Sequence, residues 1–540
     1  MNPKERVSAA IKCQDVDRTP WVPFVGCHAG SLIGKTAKDF LLSEDNIVAG
    51  IAKAVEAYRP DGIPVAFDLQ IEAEAMGCEL LWADENPPAV VSHPLEQGQE
   101  LSSLSVPTAK GGRIATVLSA ARRLRTAHPD IALYGLVTGP FTLAMHLAGT
   151  TLFMKMLEDP DYVHDIMTFC EQVTSAMAEY YIDAGCDVIA VVDPMTSQIG
   201  PEQFRAFVTA PAERVFRTVR ENGSLGSFFV CGHAQQNIKV MCDCKPDNVS
   251  IDENIPLDYV RDVCLDRGIS FGGNLQLTVV LLLGGPEDAR HNALDCLETG
   301  GERGFILAPG CDLPYATPPK NLIAVTELVQ DPYQRDVVRA VERAGKQENL
   351  LNMSYYGQTD KVIVDVITLD SESCAPCQYM VEAVKRVTPQ FEGIVEWREH
   401  KIKHRESLVF MTSLMVKNIP TICIDGKITF VSRIPPKEEL ITAIQKRIIE
   451  KLRLKIARKR AAILVLGKDH DECSTIQGKV ETAANELGAD VKVSFVTDPN
   501  EIASYGVLRT PAIVTTQFSV KSEGEDPSTE VIREWIRQAL

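Results

Sequence analysis

"GSFFVCGHAQQN", residues 226–237, runs an apolar stretch directly into Cys231, Gly232 and His233. A short apolar run bounded by turn-forming sequence reads as a buried strand. Similar runs recur along the chain: "GIPVAFD" (62–68), "IALYGLV" (131–137), "DVIAVVD" (187–193), "NVSID" (248–252), "ISFGGN" (269–274) and "GFILAPG" (304–310). Helical patterns lie between most of them, such as "YVHDIMTFCEQVTSAMAEYYIDAG" (162–185) and "PEQFRAFVTAPAERVFRTVREN" (201–222). Strands alternating with helices imply a parallel sheet with helices packed outside it. About eight such units predict an α/β fold of the (β/α)8 TIM-barrel type over residues 1–345, with a doubly wound sheet as the alternative. The runs end in Asp68, Asp193, Cys231, Asp252, Asn274 and Cys311. In such a barrel the carboxyl ends of the strands form the active-site face.

The strand period of two puts Cys231 and His233 on one side of the backbone as long as it stays extended. "FILAPGCDLPYATPP" (305–319) supplies Cys311 at the end of another strand. Cys, His and Cys with one open position form a donor set for a catalytic zinc. The other reading of His233 is a loop histidine bonded to backbone. Cys242 and Cys244 are a second, weaker pair of candidate ligands.

The chain of 540 residues carries a formal charge of −18, which disfavours nucleic-acid binding as the main function. The opening "MNPKERVSAAIKCQDVDRTP" has no apolar segment of a secretory signal. The longest apolar run, "LTVVLLLGG", is far short of the roughly 20 residues of a membrane span. Fifteen scattered cysteines do not resemble a disulfide framework. A cytoplasmic location with reduced thiols is the expectation.

Residues 346–358 read as a linker, polar and poorly periodic. Two smaller units follow, at 359–453 and 459–540. The first opens with "KVIVDVITLDSESCAPCQYMVEAVKRV", a strand, a turn bearing Cys374 and Cys377, and a helix. Later come "NIPT", a further strand, an Asp-Gly turn, a strand and a helix. The second unit repeats the plan around "DECSTI" and "RTPAIV". Between them "QKRIIEKLRLKIARKR" (445–460) reads as the last helix of the first unit, running on with a solvated basic face. A docking surface for an acidic partner is the alternative.

Residues 1 to about 335 resemble the corrinoid-dependent methyltransferases of the uroporphyrinogen decarboxylase superfamily, similar to those that use coenzyme M. The matching stretches are "RTPWVPFVG", "DLQIEAEAMGCEL", "GPFTLAMHLAG", "DPMTSQIGPEQFRAF", "FFVCGHAQQN" and "LAPGCDLPYATPPKNL", in order. The resemblance implies a barrel that moves a methyl group between a corrinoid (cobalamin) protein and a small thiol or methylated substrate, in anaerobic one-carbon metabolism. It also implies one zinc per chain. The family motif reads His-x-Cys-Gly-Asn with a later Pro-Gly-Cys. Cys231-Gly232 and Pro309-Gly310-Cys311 match, but Phe229 stands at the histidine position and His233 follows Gly232. Either His233 substitutes, giving zinc on Cys231, His233 and Cys311, or zinc binding is altered; Asp252 or Glu253 are further candidates for the shell. Asp193, Asp252, Asn274 and His28 are the expected substrate-binding residues. No Asp-x-His-x-x-Gly corrinoid signature occurs, so cobalt is expected on a partner protein. Porphyrinogen decarboxylation is disfavoured, because "FVGCHAGSLIG" (24–34) lacks the arginines of that subfamily's first loop.

The two smaller units resemble the thioredoxin/glutaredoxin fold. That resemblance makes Cys374 and Cys377 a redox pair, with Pro420 and Pro511 as the fold's prolines beside it. A helix N-terminus is expected to stabilise the Cys374 thiolate. The last unit keeps Cys473 and has Ile476 in place of a second cysteine, leaving a structural or mixed-disulfide role. A thioredoxin reductase-type donor is a candidate partner. The dithiol has three candidate roles: to reduce the barrel cysteines, to deliver electrons or a thiol, or to recruit a partner. The competing overall reading is a thiol–disulfide redox protein whose barrel is a scaffold.

Overall fold

The structure, a computed structural model, describes all residues except 341–349, 354–355, 358, 360, 373, 460–462, 488–492, 508, 516–519, 524–526 and 540. The expected linker at 346–358 lies partly outside the described residues.

Seven parallel strands form the first sheet, in the order Gly62–Pro64, Ala132–Thr138, Val188–Val192, Leu225–Val230, Asn248–Ile251, Ser270–Leu275 and Phe305–Pro309. Sheet order equals chain order. A doubly wound sheet reverses direction at a switch point, so this order excludes it. The missing eighth place is taken by Pro20–Val22. Trp21 bridges Leu307 in parallel, the Val22 N–H donates to the Leu307 carbonyl at 2.9 Å, and the Asp61 N–H donates to the Trp21 carbonyl at 2.8 Å. The apolar run "PWVPFV" (20–25) that holds this segment is broken by Pro23, so no strand of ordinary length is announced there.

Closure is fastened by Asp61, whose carboxylate is fully buried. It accepts from the Trp21 N–H at 2.8 Å, from Arg6 at 2.5 Å and from Arg18 at 2.6 and 2.9 Å. Two guanidinium groups and a backbone donor compensate the cost of burying the charge.

The two following sheets share one topology. The first runs Val395–Lys401, Val362–Thr368, Thr421–Ile424, Lys427–Val431; the second runs Val493–Val496, Ile463–Leu466, Ala512–Thr515, Val520–Glu523. In each, the first pair is parallel and the next two are antiparallel. The helix Lys437–Lys459 contains nearly all of the basic segment and runs past the expected boundary at 453. Its Leu440, Ile444, Ile448 and Leu452 join one apolar core with Val364 of the first sheet and Leu464 and Val514 of the second. Among the described residues no helix is long and apolar enough to cross a membrane.

The unit with the paired cysteines docks on the barrel through the helix Ala375–Val387. Tyr379 of that helix is buried in the barrel's own core cluster. Its hydroxyl donates to the Met145 carbonyl at 3.1 Å, and its ring stacks on His93. The Gln378 side chain donates to the Val90 carbonyl at 2.7 Å, and Asn86 donates to Glu372 at 3.0 Å.

Replacing Asp61 by alanine leaves the buried Arg6 and the half-buried Arg18 guanidinium groups without their shared partner. Urea unfolding of Asp61→Ala is expected to lose about 3–5 kcal/mol. A loss under about 1 kcal/mol, the size of a surface pair, would show that closure does not depend on it.

Candidate functional site

The carboxyl ends of the barrel strands open into a cavity. The barrel contributes Cys231, Asp252, Glu253, Cys311 and Asp312; the docked unit contributes Cys374, Cys377, Lys403 and Pro420. One cavity therefore holds the cysteines of both units.

Cys231 follows the strand Leu225–Val230, and Cys311 follows Phe305–Pro309. Two strands separate them in the sheet, yet barrel curvature brings their sulfurs to 3.0 Å. The chain turns at once after Cys231, because Gly232 has a φ of +87°, a conformation that favours glycine. The Gly232 N–H donates to the Asp252 carboxylate at 2.6 Å, which anchors the turn. This turn ends the extended backbone on which the pairing of Cys231 with His233 was predicated. His233 lines the cavity but is exposed.

At the family's histidine position, Phe229 is 1% exposed and packs edge-on against Phe24 and Phe67 at 5.3 and 6.1 Å between ring centres. Among the described residues no three His, Cys, Asp or Glu side chains gather so as to hold a metal ion. Two thiolates on one tetrahedral zinc stand about 3.8 Å apart, given zinc–sulfur bonds of about 2.3 Å. The sulfurs here are closer than that and lack a third donor. The residues as placed do not fit a resident zinc.

The cavity is acidic. Asp252 is pushed up to about 6 by burial, against the hydrogen bonds it accepts from Gly232 and Asn254. Burial, and then the charge of Asp252, push Glu253 up to about 8. One Glu253 oxygen accepts from the Leu277 N–H at 3.2 Å, while its Oε2 is buried with no hydrogen-bond partner among the described residues. Burial also raises Asp312, which accepts from the Gly26 N–H at 2.8 Å. No lysine or arginine among the described residues forms an ion pair with these three carboxyls; Lys403 is paired with Asp370 at 2.5 Å.

The thiols respond to these surroundings. The hydrogen bond with Cys311 raises Cys231 most, with burial and Asp252 adding to it. The bond from Cys231 lowers Cys311, but burial and Asp312 leave it raised overall. Cys374 caps the helix Ala375–Val387 as the sequence predicts. Its thiol is nevertheless raised, first by its hydrogen bond with Cys377, then by burial and by Asp252. The Cys377 N–H pulls the other way, as expected at a helix N-terminus, and is outweighed.

Of the four expected substrate-binding residues, Asp252 alone lines the cavity. Asp193 is fully buried and accepts from the Phe141 and Thr142 N–H groups and the Thr142 hydroxyl. The Asn274 amide donates to the Asp252 and Ile255 carbonyls, so it braces the loop bearing Asp252. His28 is fully buried between the Tyr58 hydroxyl and the Tyr315 carbonyl. Asp68, at another strand end, is paired with Arg113. Pro420 and Pro511 both follow cis peptide bonds, each leading into a strand. Cys473 is fully buried with its sulfur toward the Val465 carbonyl, out of reach of a partner thiol. Cys242 and Cys244 are buried too, and Cys242 faces Cys264 at 3.9 Å. Sequence reasoning missed Asp312 and Tyr379. Adjacency to Cys311 was a signal for the first; the second reads only as one more apolar helix position.

Comparison with known proteins agrees with this architecture. The family model for uroporphyrinogen decarboxylase (URO-D) matches residues 2–332, and a thioredoxin domain model matches 461–537. The methylcobamide:CoM methyltransferase MtbA of Methanosarcina mazei is 27% identical over 338 residues, covering 61% of this chain and 98% of the relative. The methylcobamide:CoM methyltransferase MtaA of Methanosarcina barkeri is 27% identical over 331 residues, covering 60% and 96%. A uroporphyrinogen decarboxylase of Nostoc punctiforme is 25% identical over 287 residues, covering 51% and 79%. A solved methyltransferase structure from Methanosarcina mazei superposes with a TM-score of 0.57 at 24% identity, covering 63% of this chain and 99% of that one. With its barrel closed, its strand ends bearing the paired cysteines and the family model spanning residues 2–332, the chain belongs to the uroporphyrinogen decarboxylase (URO-D) family.

Proposed function

We propose that the barrel transfers a methyl group between a corrinoid carried by a separate protein and a small thiol. The observation that carries this reading is the thiol- and carboxyl-lined cavity at the strand ends. It sits on a barrel that aligns nearly end to end with methylcobamide:CoM methyltransferases. The corrinoid, when bound, supplies a methyl group held on cobalt.

The chain's own part is to seat the thiol and take its proton. A thiol near its ordinary pKa is mostly protonated at neutral pH, and the thiolate is the nucleophile. Asp252, held at about 6, is ionised at neutral pH and matched to accept such a proton, while Glu253, held at about 8, stays mostly protonated beside it. Asp252 also holds the turn that positions Cys231. The Asp252 carboxylate, which no lysine or arginine among the described residues pairs with, disfavours a substrate that brings its own negative charge into a half-dry site. The acceptor is therefore a neutral or cationic thiol. In this the chain differs from relatives named for coenzyme M. Zinc on Cys231, His233 and Cys311 is not part of this reading, because the donors do not converge.

A second reading, a thiol–disulfide protein built on a barrel scaffold, is favoured by one observation: Cys374 and Cys377 face the same cavity as Cys231 and Cys311.

Two measurements test the proposal. Free methylcobalamin stands in for the corrinoid protein, and its demethylation is followed by absorbance under anaerobic conditions. Demethylation is expected to be faster with 2-aminoethanethiol than with 2-mercaptoethanesulfonate, and to fall about 100-fold or more in Asp252→Asn. No thiol-dependent demethylation, or a preference for the sulfonate, would overturn the assignment. Metal analysis of anaerobically purified protein is expected to find zinc well below stoichiometric. About one zinc per chain, lost in Cys311→Ser, would restore the metal site.

A further inference from the structure

Of the fifteen cysteines, eleven are buried; Cys13, Cys231, Cys311 and Cys374 are partly exposed. Three of those four line one cavity, with Cys377 beside Cys374. The alignment of this chemistry is built by the fold. The ends of two strands with two others between them bring Cys231 and Cys311 to a sulfur separation of 3.0 Å. That is closer than two non-bonded sulfurs rest, and about 1 Å beyond a disulfide bond. Among the described residues no third His, Cys, Asp or Glu joins the pair to make a metal site. The Tyr379 anchor then sets the start of its helix, and with it Cys374, over the same opening. Ile419 and Pro420 line the cavity alongside. Cys374 lies near enough to Cys231 and Asp252 for their charges to act on one another.

We propose that Cys231 and Cys311 form a reversible disulfide, and that the Cys374–Cys377 dithiol of the same chain reduces it. The Cys374 thiolate attacks one barrel sulfur. The Cys231–Cys311 bond breaks, and the other barrel sulfur leaves as a thiolate and takes up a proton. Cys377 then loses its proton and attacks the Cys374 sulfur, breaking the mixed disulfide. Two electrons and two protons have moved from the Cys374–Cys377 pair to the barrel pair, and a disulfide joins Cys374 to Cys377. An external disulfide or diazene oxidises the barrel pair, and an external dithiol restores the Cys374–Cys377 pair. Asp252, beside both pairs, serves as the proton acceptor for the attacking thiol. The exchange does not depend on methyl transfer, so its test stands apart from the methylcobalamin assay.

The experiment uses the full chain, oxidised with the diazene diamide, quenched in acid, alkylated and mapped by mass spectrometry without reduction. Oxidised Cys374→Ser is expected to keep a Cys231–Cys311 disulfide. Cys377→Ser, which cannot resolve the mixed disulfide, is expected to accumulate a Cys374–Cys231 or Cys374–Cys311 peptide pair. The yield of that pair is expected to be independent of protein concentration, because both partners lie in one chain. Cys377→Ala guards against a packing defect of serine at this buried position and is expected to trap the same pair. Absence of a Cys231–Cys311 disulfide in Cys374→Ser would overturn the proposal. So would a Cys377 variant in which the barrel disulfide persists with no cross-link to Cys374, or one whose cross-link forms only between chains.

Discussion

The contact that organises the molecule is Tyr379 in the barrel. Its ring is buried among the barrel's own apolar residues, and its hydroxyl is bonded to the Met145 carbonyl. Burying a tyrosine ring at an interface contributes a few kcal/mol, and the satisfied hydroxyl removes the penalty that would offset it. The helix that carries Tyr379 begins at Cys374, five residues earlier, a distance of about 7.5 Å along its axis. Fixing the tyrosine thus fixes the cysteine pair over the barrel mouth. The resulting cavity is made jointly: neither unit alone encloses it.

Electrostatics then decide what the cavity can do. Cys231, Cys311 and Cys374 are all raised above the ordinary thiol value, and Asp252, Glu253 and Asp312 are raised above the ordinary carboxyl value. The causes are shared: burial, mutual hydrogen bonding and repulsion among acids, with no lysine or arginine among the described residues paired to the three carboxyls. Such a site holds its thiols protonated at rest and supplies in Asp252 a carboxylate able to accept a proton near neutral pH. In the proposed reactions thiolate formation is tied to local proton transfer. Both proposed reactions, methyl transfer to a thiol and disulfide exchange, begin with that step.

Much of this was legible in the residues. The apolar runs from "GIPVAFD" to "GFILAPG" correspond to the seven barrel strands, since buried parallel strands need little more than continuous apolar sequence. The closing segment Pro20–Val22 was not legible, because a bridge held by Asp61 has no periodicity. Cys231 and Cys311 were found from their strand-end positions. The same rule misplaced Asp193 and Asn274, whose side chains turn back to satisfy loop backbone instead of facing the cavity. The Cys-x-His pairing assumed an extended backbone, and the glycine between them breaks it. Phe229 was the warning: a ring that completes an aromatic cluster with Phe24 and Phe67 cannot be a ligand. The meeting of the two cysteine pairs was beyond the sequence, because it depends on which surface a helix docks against.

If the barrel cysteines and the appended dithiol act on one site, the redox state of the barrel pair controls methyl transfer. The most direct measurement compares thiol-dependent demethylation of methylcobalamin by one preparation of the full chain, first with the Cys231–Cys311 disulfide formed and then after its reduction. Transfer is expected in the reduced form and its loss in the oxidised form, with recovery on addition of a dithiol. Equal rates in the two states would contradict it, since the barrel pair would then lie outside the working site.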